Sequence, residues 1–402
     1  MTFGPAAIVG RELSGLERFK PVLDALPGPA YLVGGTVRDL MLRLPPRFDF
    51  DLAVVGDAER FAGNLAARLG GRLTTFGQFG TARVDYDDRA HVDVATARTE
   101  TYPTPAALPV VAPADSIEDD LARRDFTINA MAISLPDARL VDPFHGLQHL
   151  ADRLIRVLHE GSFVEDPTRI FRAARYETRL DFRMDPKTET LALMAAPTVA
   201  QLSGARVREE LFATFEEEDP ERTLARLHGL GVDAALGVEF PPTPTDLQQR
   251  LRELNDRYSI GLSRAHLGLL SVRAPEGWLD DIKVQRRIAA GVEAAHREEP
   301  FLRSALTGRA EAPADIVEAV ERTGPDTALY TLARSEDPAL RRYFDRLRSV
   351  RLEVDGDDLR ALGLDESPRV GEVLGELRRR KLNGELAGRA EELAAARELL
   401  SE

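Results

Sequence analysis

The sequence predicts an α+β amino-terminal half followed by an all-helical remainder, and three observations predict it. Between Tyr31 and Ile133, short β-branched runs alternate with helical stretches, and glycine pairs or Asp-rich turns separate them, as in a mixed sheet with helices. From about Leu147 onward the strands vanish, and Ala, Leu, Arg and Glu recur at helical spacing. Pro and Gly clusters then break the helices at Pro241 to Pro244, Ala274 to Gly277, Thr307 to Pro313 and Thr323 to Asp326, each a helix–helix connection.

A chain of 402 residues exceeds one core and calls for several domains. With 43% hydrophobic and 30% charged residues it is globular, and no apolar run is long enough for a membrane span. Met1 to Gly10 lacks the basic-then-apolar pattern of a secretory signal, so a cytoplasmic location with no membrane partner is expected. There is no cysteine, which excludes disulfides, thiolate metal sites and cysteine nucleophiles. A net charge of −14 argues against indiscriminate coating of nucleic acid, although local basic patches remain compatible with gripping one RNA.

The first chemical constellation begins at Ala30 to Asp39, where an apolar strand runs into Gly34-Gly35 and then a helical stretch. Glycines let backbone N–H groups approach a phosphate, the helix start adds orphan donors, and Arg38 lies one turn in. Next, Phe48 to Val55 alternates, so that Phe48, Phe50, Leu52 and Val54 share one strand face and Asp49 and Asp51 the other. Two like charges so placed repel, and a divalent cation resolves the conflict. Mg²⁺ suits the pair because it takes a few carboxylate oxygens and completes its shell with phosphates and water. His91 to Thr96 alternates in the same way and offers Asp93 as a third carboxylate, either a general base toward an attacking hydroxyl or an extra metal ligand.

The second constellation is Glu165 to Arg175, where Asp166 precedes Pro167 as a helix N-cap should. On a helical wheel Glu165, Asp166, Arg169 and Arg172 gather on one side, and Ile170, Phe171 and Ala174 on the other. An i,i+4 ion pair between Glu165 and Arg169 is the structural alternative to a functional face. Cytosine and adenine each present an amino donor beside a ring-nitrogen acceptor, so a carboxylate at Asp166 and a guanidinium at Arg169 could accept either. Uracil and guanine present the reverse and leave groups unpaired, a penalty of about 1–3 kcal/mol each.

With these residues in place, the chain resembles the class II tRNA nucleotidyltransferases, the family of CCA-adding, CC-adding and A-adding enzymes and bacterial poly(A) polymerases. Gly34 to Asp39 looks like its Gly-Gly-x-Val-Arg-Asp, Asp49 and Asp51 like its metal pair, and Arg123 to Ala130 like its Arg-Arg-Asp-Phe-Thr-x-Asn-Ala stretch. Asp166, Arg169, Arg172 and Arg175 match its base-reading motif, Arg206 to Leu211 resembles the motif closing the neck, and Gly356 to Leu359 with Gly363 resembles the tail. The resemblance implies a polymerase-β-like nucleotidyltransferase head (1–140), a base-selecting neck (141–215), a helical body (216–345) and a tRNA-binding tail (346–402). His145 and His149 depart from the pattern, and their i,i+4 spacing could suggest metal, but no third ligand is apparent.

The resemblance further implies two Mg²⁺ ions on Asp49 and Asp51, and attack of a tRNA 3′-hydroxyl on a nucleotide α-phosphate with release of pyrophosphate. ATP is the expected donor, with CTP as second candidate, and the tRNA acceptor arm the partner. Arg38 and the glycine turn would hold the phosphates, while Arg124, Asp125 and Asn129 would position the sugar or support the site. Arg286-Arg287, Arg341-Arg342 and Arg378 to Lys381 are candidate tRNA phosphate contacts or solvated helix faces. Addition of CCA, of the last A, of CC, or of a poly(A) tail all remain open; Arg98 to Pro109 looks most like A-adding relatives. A non-catalytic RNA-binding protein is the alternative of another class, against which the intact Asp49 and Asp51 argue. A phosphohydrolase would call for a His-Asp dyad, and no histidine here is followed by Asp.

Overall fold

The computed structural model describes residues 17–45, 49–77, 80–88, 90–309, 312–364 and 367–401, which divide into two compact units, 1–236 and 237–402. Phe48 lies outside the described residues.

The first unit opens with α1 (Lys20–Ala25), β1 (Ala30–Val33), α2 (Gly35–Met41), β2 (Asp49–Val54), α3 (Ala58–Leu69), β3 (Arg72–Phe76), β4 (Thr81–Asp87) and β5 (Ala90–Thr96). A ribbon of β6 (Arg98–Thr101) and β7 (Val110–Pro113) follows, then α4 (Ile117–Ala122), a 3₁₀ turn at Thr127–Asn129, β8 (Ala132–Leu135) and β9 (Arg139–Val141). Seven strands form one sheet in the order β3-β4-β5-β2-β1-β8-β9. Within it β2 and β5 run parallel, in register Asp49 to His91 and Asp51 to Asp93, and the other pairings are antiparallel. The alternation read from Phe50 to Val54 holds: Phe50 and Leu52 are buried while Asp49 and Asp51 face outward. Beneath them Val84, Val92 and Val94 are fully buried, and α3 packs its Phe61, Ala62, Leu65 and Ala66 into this core. The pleat therefore sends every carboxylate of interest to the opposite, open face.

The unit continues through α5 (Gly146–Ala151), β10 (Leu154–Ile155), α6 (Ser162–Glu165), α7 (Thr168–Leu180), β11 (Arg183–Met184), α8 (Pro186–Ala195), α9 (Gly204–Phe215), α10 (Pro220–Gly229) and α11 (Val232–Leu236). The expectation that strands vanish after Leu147 is corrected: β10 and β11 pair in parallel. Two-residue strands carry no readable periodicity, so their pairing belongs to the tertiary fold. Helix α7 starts at Thr168 and buries Ile170, Phe171, Ala173 and Ala174 completely, which matches the apolar face read from the sequence. Both α9 and α10 pack against it.

The second unit is helical: α12 (Leu247–Arg257), α13 (Arg264–Leu269), α14 (Trp278–Asp281), α15 (Arg286–Arg309), α16 (Pro313–Thr323), α17 (Pro325–Ser335), α18 (Pro338–Asp345), α19 (Gly356–Ala361), α20 (Pro368–Leu382) and α21 (Arg389–Ser401). Pro241 to Pro244 and Ala274 to Gly277 fall between helices as read, and the other two breaks are shorter than read: α15 runs through Thr307 and Gly308 to Arg309, and Gly324 alone separates α16 from α17 at a φ of 89°. At its carboxyl end Glu392, fully buried, accepts from the backbone of Glu353 and Val354 and from Lys381.

Candidate active site

Two adjoining cavities of the first unit hold most of the site residues that the sequence singled out; Asp49, Arg38 and Arg175 line neither. One, of about 350 Å³, lies over the open face of the sheet and is lined by Asp51, Asp93, Arg83, Thr81 and Phe76, with Asp120, Arg123 and Arg124 as its wall. The other, of about 280 Å³, is lined by Gly34, Gly35, Glu100, Tyr102, Arg123 to Asp125, Asn129, Asp166, Arg169, Arg172 and Tyr176. Arg123 and Arg124 border both.

In the first cavity Asp51 stands directly beside Asp93; Asp49, two residues back on the same strand face and outside the cavity lining, stands beside His91, whose Nδ1 is 3.3 Å from Asp49 Oδ1. The surroundings of Asp51 raise its pKa above the usual carboxylate value: desolvation acts most, then Asp93 and Asp49 repel it, while Arg124 and His91 pull the other way. A cation between Asp49 and Asp51 removes that repulsion. Asp93 is in a different state, because Arg83 Nε and Nη2 reach both of its oxygens at 2.7 and 2.8 Å. Among the described residues no three His, Asp or Glu side chains are arranged to hold a metal. The protein thus offers two outward carboxylates rather than a full cage, a donor set that fits a hard cation completing its shell with phosphate oxygens and water.

In the second cavity the chain turns at Gly34, with φ 72° and ψ −139°, a conformation that favours glycine. A Cβ there would lie 2.9 Å from Arg124 Nη1, so the glycine also lets Arg124 lie across the turn. Helix α2 spans only seven residues, and its dipole contribution is correspondingly small. Arg38 corrects the expectation of a phosphate contact: it is 3% exposed, with Nε and Nη2 on Asp39 and Nη1 donating to Asn129 Oδ1 at 2.7 Å. Burial of the first turn of α2 against the 3₁₀ turn leaves its guanidinium behind the site, and Arg123 and Arg124 occupy the cavity wall instead.

From Arg38 a chain of bonds crosses to α7. Asn129 Nδ2 donates to Asp125 Oδ1 at 2.9 Å, and Arg172 places Nε and Nη2 on Asp125 Oδ2 at 2.8 and 2.6 Å. Desolvation would raise the Asp125 pKa. The Arg172 charge and the bonds from Asn129, Arg172 and the Phe126 N–H outweigh it and hold this carboxyl below its usual value. Asp120 is likewise depressed, since Arg124 and Arg123 overcome its desolvation.

Asp166 does not start α7 itself, but its Oδ1 accepts from Thr168 N at 3.1 Å, as a cap would, and also from Thr168 Oγ1 and Arg206 Nη2 at 2.6 Å. Among the described residues nothing donates to its Oδ2. Arg169 donates from Nη1 to Ser162 Oγ at 2.6 Å and from Nη2 to the Arg123 carbonyl at 2.9 Å, and lies 5.8 Å from the Tyr102 ring centroid. The Glu165–Arg169 ion pair does not form; Glu165 faces His159 at 3.4 Å. Arg175 is a second correction: it is buried, bonds Glu210 at 2.5 Å and does not line the cavity, because its position on α7 faces α9. His149 hydrogen-bonds Thr127 at 2.9 Å, a packing role.

Sequence reasoning missed Tyr102, Tyr176, Glu100, Asp120 and Arg83. Tyr176 had a signal, one turn beyond Arg172 on the same helix face; Arg83 had none, since its partner lies on another strand. Desolvation, with Glu100 and Asp166 nearby, pushes the Tyr102 hydroxyl up to about 12 against the pull of Arg169, so it stays a hydrogen-bond donor, here to Glu100. Of the basic runs, Arg378, Arg379, Arg380 and Lys381 pair with Glu321, Asp315, Glu376 and Glu392, while Arg286, Arg287, Arg341 and Arg342 are exposed.

The Poly A polymerase head domain model matches residues 30–156, and the model described as the probable RNA and SrmB-binding site of polymerase A matches residues 181–236. An A-adding tRNA nucleotidyltransferase of Geobacter sulfurreducens is 34% identical over 400 residues, covering 93% of this chain, which spans 45% of that longer protein. Its counterpart from Halalkalibacterium halodurans is 34% identical over 389 residues, 92% of this chain and 88% of the relative. The apo form II structure of a CCA-adding enzyme superposes with a TM-score of 0.83 at 30% identity, over 98% of both chains. A glycine turn, a carboxylate pair and a carboxylate–guanidinium helix face gathered in one unit, with relatives alike along nearly the whole chain, place this protein in the tRNA nucleotidyltransferase and poly(A) polymerase family.

Proposed function

We propose that the protein adds nucleotides to the 3′ end of tRNA without a nucleic-acid template, and that terminal A addition from ATP is its reaction, with CTP the second candidate donor. The observation that carries this reading is that the cavity lined by Asp51, on the strand face it shares with Asp49, adjoins through Arg123 and Arg124 a polar cavity lined by Asp166 and Arg169. The A-adding relatives support the choice of A.

In this reading the tRNA 3′-hydroxyl attacks the α-phosphate in line, the bond to the bridging oxygen breaks, and pyrophosphate leaves. Asp49 and Asp51 would hold Mg²⁺, two ions in our reading, which when bound supplies Lewis-acid stabilisation of the charge on phosphate and nucleophile. Arg123 and Arg124 bring positive charge to the phosphates, and the Gly34 turn lets backbone come close to them. Arg38, Asn129, Asp125 and Arg172 hold the glycine turn and α7 in fixed relation, so that nucleotide placement costs little reorganisation. At the base, Asp166 Oδ2 accepts from an exocyclic amino group and Arg169 donates one of its remaining N–H bonds to the ring nitrogen.

Purified protein, Mg²⁺, labelled ATP or CTP and tRNA transcripts ending before CCA, after C and after CC, resolved at single-nucleotide length, test this. One A on the CC-ended transcript alone supports A addition. C followed by A on shorter transcripts makes it a complete CCA-adding enzyme, long tails on unstructured RNA make it a poly(A) polymerase, and no product on any RNA overturns the reading.

A further inference from the structure

Asp51 and Asp93 are registered neighbours on parallel strands, facing the same cavity, so a third carboxylate stands beside the pair. Its two oxygens are nevertheless taken by Arg83, the residue registered with it on β4, at 2.7 and 2.8 Å, in the planar two-pronged geometry that guanidinium and carboxylate share. Both partners are a little over one-third exposed, so the pair is open to the cavity rather than buried as a structural brace. Among the described residues no arginine is so placed on Asp49, whose side chain is 65% exposed and faces His91.

We propose that Arg83 is a positioning residue that keeps Asp93 out of the metal's coordination shell, so that the protein alone binds a divalent cation weakly and captures it with the nucleotide. The inference rests on Asp49 and Asp51 being the metal pair. Affinity for hard cations grows with the number and charge of carboxylates that reach them. Arg83 removes one carboxylate from that count and adds a compensating positive charge. A cation then finds two carboxylates in the resting protein, and the nucleotide's phosphates must supply further oxygens. Metal loading is thereby coupled to substrate, and the Asp93 side chain stays fixed beside the reacting groups instead of moving onto the ion.

The test is Mn²⁺ binding to the full-length protein without nucleotide, followed by electron paramagnetic resonance of the free ion. Arg83→Met releases Asp93 and is expected to bind Mn²⁺ about tenfold more tightly than wild type. Adding Asp93→Asn to that variant removes the released ligand and returns the affinity to within about twofold of wild type. Unchanged or weaker binding by Arg83→Met overturns the proposal, as does a tenfold loss in the double variant, which would make Asp93 a resident ligand. The double variant keeps two neutral, similarly shaped side chains and so reports even where the single variant folds poorly. A separate Asp49→Ala/Asp51→Ala protein that still binds Mn²⁺ as wild type does would instead sink the metal-pair reading itself.

Discussion

Arg206 donates to Asp166 Oδ1 at 2.6 Å, so the carboxylate that would read the base is held by α9 and has its other oxygen left for the ligand. The same arginine donates to the Ala106 carbonyl at 2.8 Å, which ties the stretch between β6 and β7 to the base-reading helix. Arg206→Met loosens Asp166 without removing it. The expected outcome is a KM for ATP about tenfold higher with a smaller change in kcat, since ground-state placement of the base is lost. Steady-state kinetics on a CC-ended tRNA measure it.

Asp166→Ala removes the acceptor for the exocyclic amino group. Competition assays with all four nucleotides should show ATP preference over GTP and UTP falling by roughly 10- to 100-fold, the equivalent of one unsatisfied buried group. Preference that is unchanged would place base selection elsewhere.

At the glycine turn, Gly34→Ala forces a side chain into a backbone conformation it rarely adopts and brings its Cβ against Arg124. Strain of about 1–3 kcal/mol should lower the melting temperature, and displacement of Arg124 should raise the KM for ATP. Calorimetric titration of ATP gives the binding part directly.

Asp49→Ala and Asp51→Ala together should abolish incorporation while leaving tRNA affinity within about threefold of wild type, because they remove the carboxylates that would hold the metal and no basic residue. Retained incorporation would end the metal-assisted account.

Asp125 links pH to stability. Its native pKa lies below the usual 3.8, so the stabilisation it brings is present above that value and is lost as pH falls through the lower native value. Asp125→Asn should cost about 3 kcal/mol near neutral pH, the low end for breaking a buried pair because Arg172 keeps partial access to water. Thermal melts should show the gap between variant and wild type closing as pH drops below 3.8.

Much of this site could be read locally. Alternation from Phe50 to Val54 put the two aspartates on one face, and the apolar positions of α7 fixed which of its sides could face a ligand. A strand or helix exposes its faces through its own period, so no partner need be known. Arginine does not announce its role in that way: Arg38, Arg172 and Arg175 read alike in sequence, yet the first lies behind the glycine turn, the second braces Asp125 and the third ties α7 to α9.

The sequence by itself determined the α+β-then-helical order, the glycine turn, the outward carboxylate pair and the polar face of the base-reading helix, because each is set by neighbours a few residues away. Only the tertiary structure decided which charges are spent. Strand register set Arg83 on Asp93, and packing spent Arg38 on Asp39 and Asn129 and the basic run of α20 on nearby carboxylates. A long flexible cation finds its partner across space, by charge and geometry, and that distance along the chain leaves no local pattern to read.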